Sequence, residues 1–351
     1  MTKQDKGGSV AKGLSRRELL AAGAGAAAVL SLGGILKAQA ADGLVALVHT
    51  QAAGDNGPID GMIAALKKLS EEEGFQIRTI YAQDPATFET ILRGLGTAGA
   101  KIVITTFLQM GAPVKAVAPD FPDTKFIELY ADPLDPPLPN VRTVSYNYHL
   151  GCYLSGLFGA KFTTTKSIGY IGGVSIPGLN ADLNAMKLAA ASVSPDIKVT
   201  GAFAGSFQDP AKGREIAAQM YQDGVDYIQT DGAATDIGVI QAATEGEKRF
   251  VSGGSKDQIK LGPKQVVSLV LADFGQSLYS QVKLALADGW KGSHYATGLN
   301  EGVIDFILSD EFLAQADPAV AAKAKEVFAE VSKVKDDIAA GKLEVPFNPN
   351  L

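Results

Sequence analysis

Candidate chemistry in this chain is concentrated in short segments that follow apolar runs of strand length. These segments are Gln51 to Asn56, Phe107 to Gln109, Tyr146 and Asn147, Gly172 to Ser175, Asp231 to Ala233 and Ser252 to Gln258. Amides, hydroxyls, glycines and a few carboxylates dominate, with Phe107 and Tyr146 as aromatic platforms. Such a set grips a polar molecule by hydrogen bonds and stacking and is poor in catalytic pairs. The residues we select as ligand-binding candidates are Gln51, Asp55, Asn56, Phe107, Tyr146, Asn147, Ser175, Asp231, Ser255, Asp257 and Gln258.

The bland alternatives are specific. Gly172-Gly173 lacks both G-x-G-x-x-G and the Walker pattern, so a tight structural turn is the better reading. Asp231 is readable as a general base, but an acid at a strand end more often accepts hydrogen bonds or caps a helix. Ser255 lacks the G-x-S-x-G elbow of a serine nucleophile. Cys152 reads as a small buried thiol. His49 either touches ligand or packs and bonds to backbone. The three histidines (His49, His149, His294) lack paired zinc-ligand spacing, and one cysteine excludes a disulfide framework. No metal and no cofactor are expected.

Alternating elements must position these segments. Leu44–His49, Phe75–Tyr81, Lys101–Thr106, Lys125–Leu129 and Val141–Ser145 read as strands, with helical spacing between them from Ile59 to Leu69, from Asp84-Pro85 to Gly94 and over Val114–Ala118. A proline-rich link runs from Pro133 to Pro139. The pattern then restarts with a helix over Gly151–Phe162, followed by strands Ser167–Ile171, Ile197–Phe203, Asp226–Gln229 and Arg249–Val251. Helices over Asn180–Ser192, Asp209-Pro210 to Tyr221 and Asp236–Ala243 separate these strands. Strands alternating with helix-length patterns predict parallel sheets built from βαβ units, and two rounds predict two similar lobes. The charged run Lys323–Lys342 has apolar residues at helical spacing and reads as a solvated helix covering one lobe.

The 351 residues exceed a single core, and 46% apolar with 20% charged is globular composition. The first forty residues read as an address. Lys3, Lys6 and Lys12 precede Ser15-Arg16-Arg17-Glu18-Leu19-Leu20, an Ala/Gly/Leu run extends to Leu36, and Ala38-Gln39-Ala40 is a small-x-small cleavage site. This resembles a twin-arginine export leader cleaved after Ala40, leaving a soluble, unanchored periplasmic protein. With six basic and two acidic residues removed, the net charge moves from −6 to −10. An acidic chain is not a nucleic-acid binder.

Several ordered stretches carry a resemblance. Asn140-Val141 with Gly151-Cys-Tyr-Leu-Ser-Gly156, Ile168-Gly-Tyr-Ile-Gly-Gly-Val-Ser-Ile-Pro177, Ser194-Pro-Asp-Ile-Lys-Val199, Gly205-Ser-Phe-Gln-Asp-Pro-Ala-Lys-Gly213, Gln258 and Gly298-Leu-Asn-Glu-Gly302 follow in sequence. From Gly43 to about Glu344 the chain resembles the basic membrane protein (purine-nucleoside-binding) family of ABC transporter receptors. The resemblance implies a type I periplasmic binding protein fold, an α/β architecture of two Rossmann-like lobes with parallel sheets joined by a three-strand hinge. Lobe I would be 41–146 plus 273–297, and lobe II 147–272 plus 298–351. It also implies a small-molecule ligand held by clamshell closure, an ABC permease in the inner membrane as partner, a monomer and no enzymatic activity. The family's Ser-Phe-Asn loop is replaced by Asn56-Gly57-Pro58-Ile59. Ser255 stands where a ribose-gripping aspartate is expected, and a lysine expected near Ala272 is absent. Asp55, Asp257 and Gln258 match on the polar side. The expected ligand is a purine nucleoside, nucleobase or related heterocycle, stacked by Phe107 and Tyr146 and bonded by Asn147, Asp231 and Gln258. The alternatives are a ligand-presenting sensor for a membrane receptor, a sugar or other non-purine receptor, and a periplasmic hydrolase using Asp231.

Overall fold

The computed structural model describes residues 43–54 and 57–351. The export leader, its cleavage point at Ala40, and the candidates Asp55 and Asn56 lie outside the described residues.

The elements run in chain order as β1 (Leu44–His49), α1 (Pro58–Glu73), β2 (Gln76–Tyr81), α2 (Phe88–Thr97), β3 (Ile102–Thr106), α3 (Gly111–Val117), β4 (Lys125–Leu129) and β5 (Val141–Tyr146). The second round is α4 (Tyr148–Phe162), β6 (Ser167–Gly172), α5 (Pro177–Val193), β7 (Lys198–Phe203), α6 (Pro210–Gln222), β8 (Tyr227–Asp231), α7 (Asp236–Thr244), β9 (Phe250–Gly253) and β10 (Val266–Ala272). Then come α8 (Phe274–Leu286), β11 (Ser293–Thr297), β12 (Ile304–Leu308), α9 (Asp310–Gln315) and α10 (Pro318–Ala339).

Two six-stranded sheets result, in the orders β11-β5-β4-β3-β1-β2 and β12-β10-β9-β8-β6-β7. All ladders are parallel except β10 with β12. That exception follows from connectivity: β10 leaves the second sheet toward the first, and β12 returns beside it, so their directions must oppose. The chain passes between sheets at Tyr146–Tyr148, Ala272–Phe274 and Thr297–Ile304. These passages are tied laterally, because Asn147 N donates to Thr297 O at 2.8 Å and Asp273 N to Val303 O at 2.7 Å. Three tethered passages let two lobes rotate without separating.

Both faces of each sheet are covered at its inner strands, which is why β1, β3 and β10 read as nearly unbroken apolar runs, whereas the edge strands β2, β7 and β11 are largely exposed. In β1, Val45 and Leu47 face α1 and α8, while Ala46 and Val48 face α2 and α3. In the second sheet Tyr170, Tyr227 and Val270 pack under α4, α5 and α10, and Ile171, Ile228, Val251 and Leu269 pack against α6 and α7. Each fully buried large apolar side chain contributes roughly 1.5–3 kcal/mol. The two Asp-Pro signals act differently. Asp209 caps α6, its carboxylate accepting from Lys212 N at 2.9 Å. Asp84 instead accepts from Ala86 N at 3.0 Å, which closes a tight 3-10 turn over Pro85–Thr87, and α2 begins only at Phe88. The run after Lys323 is helical as expected, and α10 lays Val327, Val331 and Ile338 on lobe II.

Candidate functional site

The carboxyl edges of the two sheets face each other. On the lobe I side, Phe107 follows β3, Tyr130 follows β4, Tyr146 ends β5 and Phe274 opens α8, and their rings form one group. Tyr146 and Phe274 have centroids 4.6 Å apart, Tyr130 stacks on Tyr146 at 5.9 Å, and Phe107 lies 6.0 Å from Tyr130. Phe107 and Tyr130 adopt φ of 67° and 62°, left-handed backbone that costs a bulky residue about 1–2 kcal/mol. The β3 and β4 exits turn both rings into the group through this geometry. The Tyr146 hydroxyl is not free for a ligand, since it donates to Ser277 Oγ at 2.7 Å.

The lobe II side is acidic. Asp231 ends β8 and accepts from the Tyr170 hydroxyl at 3.1 Å. Asp182, inside α5, shares a hydrogen bond with Asp231. Asp236 opens α7 and accepts from Gly232 N at 2.7 Å and from Gln258 Nε2 at 3.2 Å. Burial, followed by the Asp231 charge, pushes Asp182 well above the usual carboxylate range. Burial raises Asp231 to about 6, partly offset by hydrogen bonds from Asp182 and Tyr170. Asp236 rises to about 7 through burial and then the charge of Asp231.

The two sides meet through tyrosines. A Cβ built on Gly178 of α5 would lie 2.9 Å from the Tyr130 hydroxyl oxygen, so that hydroxyl crosses from lobe I to lobe II at a glycine. Tyr130 feels the charges of Asp182 and Asp231, and Tyr148, at the hinge, feels Asp231, Asp182 and Asp236. The Tyr148 hydroxyl donates to Val270 O at 2.9 Å.

The expected residues divide accordingly. Phe107 and Tyr146 belong to the aromatic group, and Asp231 and Gln258 to the acidic one. Gln258 also accepts from Gly254 N at 2.7 Å, which fixes its amide orientation. Asn147 lies in the hinge, with its backbone N–H bonded to Thr297. Gln51 is half-buried after β1, and its carbonyl accepts from His49 Nδ1 at 2.7 Å. His49 also stacks on Tyr81, which settles it as a packed, backbone-bonded residue. Ser175 is exposed and donates to Asn180 Oδ1. Ser255 is half-buried ahead of the 3-10 turn Lys256–Leu261. Asp257 pairs with exposed Lys260 at 2.7 Å. Cys152 is fully buried, and burial pushes its thiol up, which makes it inert. The sequence reading omitted Tyr130, Tyr148, Tyr170, Phe274, Asp182 and Asp236. The strand-end rule that selected Phe107 would have found Tyr130; Asp182, in mid-helix, carries no local signal.

Among the described residues no group of three His, Cys, Asp or Glu side chains is placed to hold a metal ion. No described helix is long and apolar enough to cross a membrane.

Comparison with known proteins agrees with this architecture. Residues 44–337 match the family described as ABC transporter substrate-binding protein PnrA-like. Basic membrane protein A of Borreliella afzelii is 28% identical over 298 residues, covering 82% of this chain and 87% of that protein. Purine-binding protein BAB2_0673 of Brucella abortus is 30% identical over 250 residues, covering 68% of each chain. A solved ABC transporter solute-binding protein from Aeropyrum pernix K1 superposes with a TM-score of 0.73 at 19% identity, covering 87% of this chain and 94% of that one, which establishes the shared fold. With two α/β lobes, a triple hinge and a polar-aromatic cleft between them, this chain belongs to the PnrA-like family of ABC transporter substrate-binding proteins, and it is a solute-binding receptor rather than an enzyme.

Proposed function

We propose that the chain is the periplasmic receptor of an ABC importer and that its solute is a purine nucleoside, nucleobase or related nitrogen heterocycle. The observation that carries this reading is the aromatic group Phe107, Tyr130, Tyr146 and Phe274 set against the hydrogen-bonding edge Asp182, Asp231, Asp236 and Gln258. Flat rings cover the faces of a heterocycle, and carboxylates accept from its N–H groups. The Brucella relative's name as a purine-binding protein supports the same class. Rotation about the three passages closes the lobes, burying the solute so that few polar contacts give selectivity. The closed form is then handed, as a monomer, to a permease in the inner membrane.

Thermal shift with nucleosides, bases, sugars and amino acids tests the solute class, and small-angle scattering tests closure. Stabilisation by a nucleobase compound with a smaller radius of gyration is expected. Stabilisation only by sugars or amino acids sinks the heterocycle. An unchanged scattering profile at saturating solute sinks the clamshell.

A further inference from the structure

The acidic side of the cleft poses a charge problem. Asp182 is 3% exposed and Asp236 2%, yet no ion pair among the described residues involves Asp182, Asp231 or Asp236. The titratable groups facing them are Tyr130 after β4, Tyr148 and Cys152 from α4, Tyr170 from β6, and the acids themselves from α5, β8 and α7. None is basic. Buried carboxylates without counter-charge are costly and hold protons instead.

The second observation is independent of the acids. Phe107, Tyr130 and Phe274 form a half-buried ring group with mutual centroid distances of 6.0 and 6.3 Å. Two of its members are held in left-handed backbone. Aromatic faces carry negative potential and attract cations, most strongly when desolvated. Rings and carboxylates therefore favour the same sign of charge, and the tyrosine bridge from Tyr130 to Gly178 places them across one cleft.

We propose that the solute carries a positive charge on nitrogen, as a cationic heterocycle or an amine cation, with its charged end at Asp182 and Asp231 and its flat or apolar part against Phe107, Tyr130 and Phe274. The inference rests on the receptor reading above and narrows its solute class. A cation takes the place of the proton that Asp182 and Asp231 otherwise share, so binding releases a proton and strengthens as pH rises.

Isothermal titration with matched probes tests it: 1-methylnicotinamide against nicotinamide, choline against 3,3-dimethylbutan-1-ol, and adenosine as a neutral purine. The charged member of a pair is expected to bind about tenfold more tightly, with a heat that depends on buffer ionisation. The affinity should be higher at about pH 8 than at about pH 5.5, on either side of the Asp231 and Asp236 values. Asp182→Asn and Asp231→Asn, each checked by circular dichroism, should erase that preference, bringing each charged probe to the affinity of its neutral partner. Charged probes that bind no better than their neutral partners, or not at all, overturn the inference, as does a preference that survives both variants. Adenosine binding with contraction in scattering, while the charged probes fail, leaves the receptor reading intact and removes this one. Silence and no contraction with every probe remove both.

Discussion

The two lobes share one plan and differ at its rim. Read from one edge, the first sheet is β2-β1-β3-β4-β5-β11 and the second β7-β6-β8-β9-β10-β12, so each strand has a counterpart. The exit of β3 carries Phe107, while its counterpart β8 ends at Asp231. The exit of β4 carries Tyr130, where β9 is followed by Gly254. Backbone topology therefore supplies two edges facing a cleft, and side chains divide the labour, rings on one and acids on the other. The buried carboxylates differ in the same way. Lobe I has Glu128 on β4, 1% exposed with neither oxygen hydrogen-bonded, raised to about 8 by burial and then by Asp132. Lobe II keeps buried Asp226 at the far end of β8, accepting from Thr163 and Thr164, and groups Asp182, Asp231 and Asp236 at the cleft, where they hydrogen-bond to one another and to Tyr170, Gln258 and Gly232. A buried acid in mid-sheet is a cost to folding, whereas acids gathered at a cleft are positioned to be repaid by ligand.

Helix packing differs most between the lobes. A Cβ on Gly238 of α7 would lie 1.7 Å from the Pro210 carbonyl oxygen, whereas one on Gly275 of α8 would lie 2.7 Å from the Gly61 oxygen. Gly238→Ala should cost lobe II about 4 kcal/mol or more, and Gly275→Ala should cost lobe I about 1–3 kcal/mol. Urea unfolding checks this, and equal losses would erase the asymmetry.

The aromatic rim is the next point of difference. Tyr130→Ala removes a ring from the group and should weaken solute binding by about 1–3 kcal/mol, read by titration calorimetry. Unchanged affinity would strip lobe I of its role in recognition.

Glu128→Gln sharpens the contrast between the lobes through pH. The folded value of about 8 lies above the ordinary 4.5, so between them the native state holds a proton that the unfolded chain has lost. The contribution of Glu128 is thus intact below 4.5 and gone above about 8. Over that window the variant should gain up to about 5 kcal/mol on the parent as pH rises, with no gain at the acid end. Melting temperatures across pH measure it, and a pH-independent difference would contradict the burial argument.

The smallest effect belongs to the contact between lobes. Gly178→Ala presses on the Tyr130 hydroxyl, the far end of a side chain that can yield, so affinity should fall about threefold, under 1 kcal/mol. Tyr130→Phe in the same background should restore it.

Much of the frame was legible locally. Leu44–His49 and Lys125–Leu129 are strands with the bounds that their apolar runs imply, because a strand covered on both faces has no polar alternation to blur its ends. Asp209-Pro210 announced α6 correctly. Asp84-Pro85 announced a start but not its form, since whether a capped turn continues as α or tightens to 3-10 depends on the packing of the next few residues. Within the cleft, Phe107, Tyr146, Asp231 and Gln258 were accessible because ligands of parallel sheets sit beyond strand ends. Asp182 was not, because mid-helix position says nothing about which strand end a side chain will meet.

By itself, then, the sequence determined the alternation of strands and helices, the two rounds and the family, since these rest on local periodicity and ordered motifs. Tertiary structure decided that β12 runs against β10, that Tyr130 reaches Gly178, and that Asp182 from α5 meets Asp231 from β8 without a cation. Those outcomes depend on how distant segments are brought together, and the energy of a buried charge is set by neighbours that local sequence does not name.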